Sequence, residues 1–334
     1  MTPSISVVIP SFRRPESLRR CLDALVAGTS APDEIVVAAR PWDPATRNAL
    51  RTWQQEHPDG PPCRCALVRQ SGQPAALNAG LARATGEVIG FIDDDVLVEA
   101  HWVERLRRAY EDPDIGGVGG RDIVYTSGRH QPDYGGGVVG RISWFGRLIG
   151  NHHCDDSRRQ MVRHLKGANM SFRRRYLTWC DVRHIAHAPR NDADLSLEAV
   201  RRGARLLYDP EIIVHHHVAP RAEPRGRDVR ALRLIHAVAH DQAYMIAKHF
   251  SPMRRAVYVL YVSLIGFDPA YGVAQCLWQL ARGDRQAPSK LRAAVVGTSR
   301  GLATFRSWER RHPCRLSGRA GWGPERPPFG PSGG

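Results

Sequence analysis

Three consecutive carboxylates, Asp93, Asp94 and Asp95, close a short apolar run at residues 88–92. Acids are poor strand formers, and three like charges at one strand end repel each other. Two readings account for them. A divalent cation bound to carboxylate oxygens relieves the repulsion, because hard cations prefer such ligands. A solvated acidic turn also fits, with Asp95 capping a helix that follows and Glu99 in its first turn. Three successive histidines, His215, His216 and His217, form a second group, after the apolar run 212–214. A third is the stretch Asn191, Asp192 and Asp194. An acid at 194 also explains itself as the N-cap of a helix over 194–203.

The elements around these groups alternate. Residues 5–9 read as a buried strand, followed by a loop over 10–14 and a helix begun by Pro15, with Leu18, Cys21, Leu22 and Leu25 at helical spacing. Strands follow at 34–39, 66–68 and 88–92, and helices at 44–55, 74–84 and 102–110. Gly116 to Gly120 is glycine-rich, and 123–125 reads as a further strand. Alternating strands and helices predict an α/β fold, a mostly parallel sheet with helices on both faces. Such sheets bind ligands at the carboxyl ends of their strands, where the 10–14 loop and the three acids both fall. The insert 127–163, with Trp144, Phe145 and the pair His152–His153, is too long for a plain connection and predicts a functional or mobile loop.

The chain has 334 residues, 42% hydrophobic and 24% charged, enough for a sizeable core and for one large domain or about two. Its formal net charge of +15 predicts an anionic partner such as a nucleotide, a phosphate-bearing substrate or anionic lipid. No nucleic-acid recognition motif accompanies that charge, so a specific nucleic-acid partner is not expected. The 7 cysteines lack zinc spacing and predict free thiols in a reducing cytoplasm. No signal peptide is read at the first residues, and no run of about 18 apolar residues predicts a spanning helix.

Five stretches, VVIPSFRRPESLRRCLDAL, QPAALNAGLARATGEVIGFIDDDV, KGANMSFRR, NDADLSLEAVRRG and LLYDPEIIVHHH, occur in an order and spacing that resemble the inverting family 2 glycosyltransferases. The resemblance covers roughly residues 4–217 and implies a GT-A fold, a nucleotide-sugar donor, a hydroxyl acceptor and a divalent metal, Mn²⁺ or Mg²⁺. It places the Asp-x-Asp metal motif on Asp93 and Asp95, with Asp95 the ligand and Asp93 and Asp94 nearer ribose and phosphate. It matches His216 to the histidine that completes the metal site, with His215 and His217 as neighbours. It assigns the general base to Asp192, with Asp194 as the fallback, although the family's Glu-Asp pair is here Asn191-Asp192. Pro10, Ser11 and Arg13 would line the nucleotide pocket, Asn78 matches a position near the nucleotide, and Gly167 and Asn169 match the turn beside the donor sugar. Lys166 meets phosphate or solvent. After the second strand many members carry an acid that reads the base. Arg40 stands near its place, leaving UDP as the commonest guess, with dTDP and GDP open.

The resemblance divides the chain into a catalytic domain over 1–222, a helical region over 223–310 and a disordered tail over 311–334. The helical region is read as a long helix at 227–249, an apolar segment at 256–267 and helices at 271–281 and 291–308. Its apolar segment with basic flanks fits either an anionic membrane surface, placing the protein at the inner face of the cell membrane, or packing on the catalytic domain or a second copy as a homodimer. A nucleotidyltransferase of related fold is the competing enzyme reading. Its usual glycine-rich loop is missing from residues 10–14. A catalytically inactive nucleotide-sugar-binding module is the other alternative.

Overall fold

Strict alternation of side-chain direction along a strand explains how one apolar run serves two cores. In β1 (Ile5–Pro10), Ile5, Val7 and Ile9 face one way and Val8 the other. The first set joins Ile35 and Val37 of β2 (Glu34–Ala39) against Leu18 and Leu22 of α1 (Pro15–Val26), Trp53 of α2 (Pro44–Glu56) and Trp102 and Leu106 of α4 (Trp102–Ala109). Val8 and Val36 instead meet Leu77 and Leu81 of α3 (Gln73–Arg83) and Leu195 of α5 (Asn191–Arg201). Strands buried on both faces are therefore continuously apolar.

The structure, a computed structural model, describes residues 2–131, 137–154, 158–185, 190–218, 227–268 and 270–311. The expected tail beyond 311 lies outside the described residues. One compact unit comprises Met1–Arg141, Leu148–Cys180 and Asp192–Ala222. Its remaining strands are β3 (Cys63–Leu67), β4 (Val88–Phe91), β5 (Val96–Val98), β6 (Ile115–Thr126), β7 (Arg129–His130), β10 (Gln160–Val162), β11 (Met170–Arg173) and β12 (Arg205–Val218). The short strands β8 (Arg141–Ile142) and β9 (Leu148–Ile149) flank residues 142–147, which belong to the second unit. The sheet order is β10-β12-β6-β11-β4-β1-β2-β3, with β5 on β12 and β7 on β6. Parallel pairs join β1 to β2 and β4, β2 to β3, and β6 to β12. Strands β5 and β10 run antiparallel to β12, and β11 antiparallel to both β4 and β6.

The second unit comprises Ile142–Arg147, Asp181–Asn191 and Glu223–Gly334. It contains α6 (Arg227–His249), α7 (Pro252–Leu264), the strands β13 (Gly266–Phe267) and β14 (Ala270–Tyr271), α8 (Val273–Ala281) and α9 (Ala287–Arg311). Tyr244 and Ala247 of α6 pack on Phe305 and Trp308 of α9.

Three local expectations are corrected. No helix follows the three acids directly: residues 96–98 are strand β5, and the next helix starts at Trp102. The acidic run is thus not a helix cap. Helix α5 begins at Asn191 rather than 194, which puts Asp192 and Asp194 in its first turn, where carboxylates favour the helix dipole. Strand β12 extends well beyond 212–214, and its register shifts between Asp209 and Ile213, a bulge that accommodates Pro210. The glycine-rich stretch 116–120 forms the core of β6. Its glycines answer to packing: a Cβ on Gly120 would overlap the Ile212 carbonyl oxygen, at the bulge itself.

Gly120→Ala is therefore expected to destabilise the protein by about 2 kcal/mol or more, because overpacking a main-chain contact cannot be relieved by a rotamer change. Gly150→Ala, whose Cβ would meet only His152 Nδ1 at 3.9 Å, is the near-neutral control in a denaturant titration.

Candidate active site

Strand β4 ends at Phe91, and its direction carries the chain to Asp93, Asp94 and Asp95 at the carboxyl edge of the parallel strands. Asp94 and Asp95 are buried and Asp93 half-buried. Asp94 accepts from Ser11 Oγ at 2.8 Å, which ties the acids to the loop after β1. Arg14 Nη1 reaches Asp94 Oδ1 at 2.9 Å and Asp95 Oδ2 at 3.2 Å. The neighbouring Arg13, the residue singled out in sequence, has φ 57°. Its main-chain N donates to Asp43 Oδ2 at 2.6 Å, and its own guanidinium lies over the Phe12 ring. The arginine that meets the acids is Arg14.

Pairing of β5 with β12 sets His216 opposite Val96 and thus beside Asp95. Strand alternation then separates the three histidines. His216 Nε2 lies 3.3 Å from Asp95 Oδ1, and its Nδ1 lies 3.5 Å from Asp122 Oδ1. His215 and His217 point the other way: His215 Nδ1 is 3.2 Å from the Tyr125 hydroxyl, and His217 stacks on the Tyr125 ring. Asp93, Asp95 and His216 each present a ligand atom, all within 4.8 Å of one another.

Asp122, on β6, escaped the sequence reading. It is 0% exposed, and Lys166 forms an ion pair with its other carboxylate oxygen. Burial works against its charge, but Lys166 and His216 outweigh it and pull Asp122 down to about 2. Burial likewise opposes a charged His216, yet Asp122 and Asp95 push it up to about 10. Burial, reinforced by Asp95, Asp94 and Asp122, pushes Asp93 up to about 6, against the pull of His216. Two carboxylate oxygens and one imidazole nitrogen suit Mn²⁺ or Mg²⁺ better than a thiophilic ion. Repulsion between the crowded carboxylates is what a cation held there would relieve.

Past Lys166, the turn Gly167–Asn169 leads into β11, whose Met170 pairs with Phe91 at the acid end of β4. Asp192 Oδ2 accepts from Gly167 N at 3.1 Å, and its Oδ1 accepts from Ala193 N at 2.7 Å. A continuous series of contacts thus runs from Asp192 through Gly167, Lys166 and Asp122 to His216, Asp95, Arg14, Asp94 and Ser11. Asp192 is half-buried, whereas Asp194 is only 2% exposed.

Three expected nucleotide-side residues have other partners. Asn78 Nδ2 donates to Cys180 O at 2.9 Å and its Oδ1 accepts from Cys180 N at 2.7 Å, a staple between α3 and the segment after β11. Asn169 accepts from Trp102 Nε1 at 3.0 Å and donates to Arg121 O at 3.1 Å and Ile212 O at 2.8 Å. Both amides are committed to the framework. Arg40 stands at the end of β2 and donates to Val68 O at 3.3 Å and to Gln70 O, closing the end of β3. Pro10 is half-buried at the end of β1. Gln73, unremarked in sequence, donates to Asp93 Oδ1 at 3.1 Å.

Asn169→Ala would leave the Trp102 indole N–H and two main-chain carbonyls without their partner, and is expected to cost roughly 2–4 kcal/mol in a urea titration. A cost below about 1 kcal/mol would show that the amide is dispensable to the framework.

Comparison with known proteins agrees with this architecture. Residues 6–178 match the family model described as glycosyl transferase family 2. An uncharacterized glycosyltransferase of Nostoc sp. is 31% identical over 114 residues, 34% of this chain and 35% of the relative. The glucosyl-dolichyl phosphate glucuronosyltransferase of Haloferax volcanii is 25% identical over 230 residues, 65% of this chain and 69% of the relative. The chain thus spans about a third of the first relative's length and more of the second. Two solved structures share the fold. The mannosyltransferase PcManGT of Pyrobaculum calidifontis, in complex with GDP-Man and Mn²⁺, gives a TM-score of 0.54 at 19% identity over 93% of this chain and 84% of its own. GalNAc-T7 with UDP, GalNAc and Mn²⁺ gives 0.60 at 14% identity over 95% of this chain and 58% of its own. These likenesses establish the GT-A fold, and with the match over half of its residues the chain belongs to glycosyl transferase family 2.

Proposed function

We propose that the protein is a metal-dependent inverting glycosyltransferase that moves a sugar from a nucleoside-diphosphate donor to a hydroxyl acceptor. The observation that carries this reading is the convergence of Asp93, Asp95 and His216 at the carboxyl edge of the sheet. Mn²⁺ or Mg²⁺ held by those three would supply Lewis-acid charge for the departing diphosphate. The Mn²⁺ complexes of the mannosyltransferase and of GalNAc-T7 support that choice. UDP is the proposed donor base, with dTDP and GDP as the alternatives a donor panel separates.

Asp192 is the proposed general base. The main-chain N–H groups of Gly167 and Ala193 hold its carboxylate as an acceptor. The acceptor hydroxyl oxygen bonds to the anomeric carbon as the bond to the diphosphate oxygen breaks, and the hydroxyl proton passes to Asp192. Asp194, almost wholly buried in the first turn of α5, suits a framework role. Ser11 and Arg14 fix Asp94 and Asp95, and Lys166 and Asp122 fix His216.

The direct test is a panel of UDP-, dTDP- and GDP-sugars with Mn²⁺, read by calorimetry and donor hydrolysis. Asp95→Asn is expected to abolish metal-dependent nucleotide binding. Asp192→Asn is expected to retain binding while transfer or hydrolysis falls about a hundredfold or more. Failure to bind any sugar nucleotide defeats the proposal, and pyrophosphate release from a nucleoside triphosphate points to nucleotidyl transfer instead.

Proton release gives an independent check. His216, raised to about 10, carries a proton in the metal-free protein at neutral pH, and a metal must displace it. Mn²⁺ uptake is therefore expected to release about one proton near neutrality and to tighten as pH rises. Below about 6, protonation of Asp93 weakens it further. Calorimetry in two buffers of unlike ionisation heat measures the released proton, and no buffer dependence removes His216 from the ligand set.

A further inference from the structure

The second unit carries a surface that glycosyl transfer does not explain. Helix α7 exposes Met253, Leu260 and Leu264, spaced seven and four residues apart along one stripe, with Met253 64% and Leu260 61% exposed. Its neighbour α8 exposes Val273, Leu277 and Trp278, with Leu277 62% and Trp278 51% exposed. Scattered apolar residues are ordinary at a surface, but two adjoining helices with apolar stripes are not. Beside the α7 stripe lies an apolar groove of about 590 Å³ whose walls include Val259, Leu260, Leu302 and Phe305, bordered by Arg255, Arg306 and Glu309.

Length and charge identify what covers this face. Helix α7 has 13 residues. That is about 20 Å of helix against a hydrocarbon core of about 30 Å. Among the described residues no helix is long and apolar enough to cross a membrane. The exposed charged residues from 251 to 300 are Arg282, Arg285, Arg292 and Arg300, against a single acid, Asp268. Arg282 lies over the Trp278 ring, 4.6 Å from its centroid, joining an apolar body to a cationic tip. A second copy of the chain fits poorly. A two-fold contact would bring the same patch, Arg282 included, against itself, with Asp268 the one exposed acid between 251 and 300. Anionic headgroups meet both features at once: acyl chains accept the stripes, and lipid phosphates accept the arginines.

We propose that the α7–α8 face is a docking surface for an anionic bilayer, seated in the interface and not spanning it. The proposal rests on the helical unit alone and stands apart from the sugar-transfer reading. The experiment is co-sedimentation of the full chain with vesicles of pure phosphatidylcholine and of equal parts phosphatidylcholine and phosphatidylglycerol, at low and high salt. The protein is expected to pellet with the anionic vesicles and to leave them as salt rises. Arg282→Glu is expected to weaken partitioning about fivefold or more. The double variant Leu260→Asp, Leu277→Asp is expected to weaken it about tenfold or more. These positions are exposed, so circular dichroism and thermal melting should match the parent protein. If the double variant fails to fold, the Arg282 variant and the salt titration still decide. Equal binding to neutral vesicles, or none to either, overturns the proposal. A concentration-dependent dimer abolished by the double variant, without vesicle binding, assigns the face to a second copy instead.

Discussion

Crowded like charge at one end of the sheet is the constraint on which the rest of the first unit depends. Asp93, Asp94, Asp95 and Asp122 converge there, mostly buried, and Arg14, His216 and Lys166 reach them from three different segments of the chain. Four carboxylates facing three cations leave the group one charge short of neutral. Exchanging the imidazolium proton for a divalent cation closes that gap. The same balance explains why the perturbed groups move in opposite directions: Asp93 is pushed up, Asp122 pulled down and His216 raised, each by its place in one shared field.

The topology makes this convergence unavoidable once the strands pair. Asp122 lies on β6 and His216 on β12, and the two strands run parallel past the Asp209–Ile213 bulge. Beyond it, the register puts Asp122 opposite Val214 and keeps His216 in step with β5. Asn169 fastens the same region, since its amide bonds the Ile212 carbonyl at the bulge, the Arg121 carbonyl on β6 and the Trp102 indole. Gly120 allows the close approach there. Bulge, glycine and asparagine form one structural knot directly behind the histidine.

Much of the scaffold was legible in the sequence because it rests on local signals. The apolar runs of β1, β2 and β4 and the Pro15 and Pro44 helix starts need no knowledge of distant contacts. What stayed hidden depends on pairing. Among three adjacent histidines the resemblance singles out His216, and strand alternation supplies the physical reason, since His215 and His217 turn to Tyr125 instead. Asp122 carries no local mark, and its partners Lys166 and His216 are far along the chain. Adjacent Arg13 and Arg14 differ only in the direction a positive φ gives the backbone. The place of the 116–120 glycines inside β6 was not legible, because composition does not reveal that their hydrogen atoms face neighbouring strands at close range. Asn78 and Asn169 drew attention as matches to family positions, yet the partners of their amides, Cys180 for one and Trp102, Arg121 and Ile212 for the other, are brought in by tertiary folding.

The ion pairs of Arg14 also bear on how the protein is made. Metalloproteins whose ligands repel without relief fold only around their ion, and chelators unfold them. Here Arg14 and Ser11 engage Asp94, Arg14 also engages Asp95, and Lys166 engages Asp122 from within the chain. A chain paired in this way can complete its fold in metal-poor surroundings and wait. The ion of the proposed site would then be an exchangeable visitor, governed by supply, and not a structural keystone laid down during synthesis.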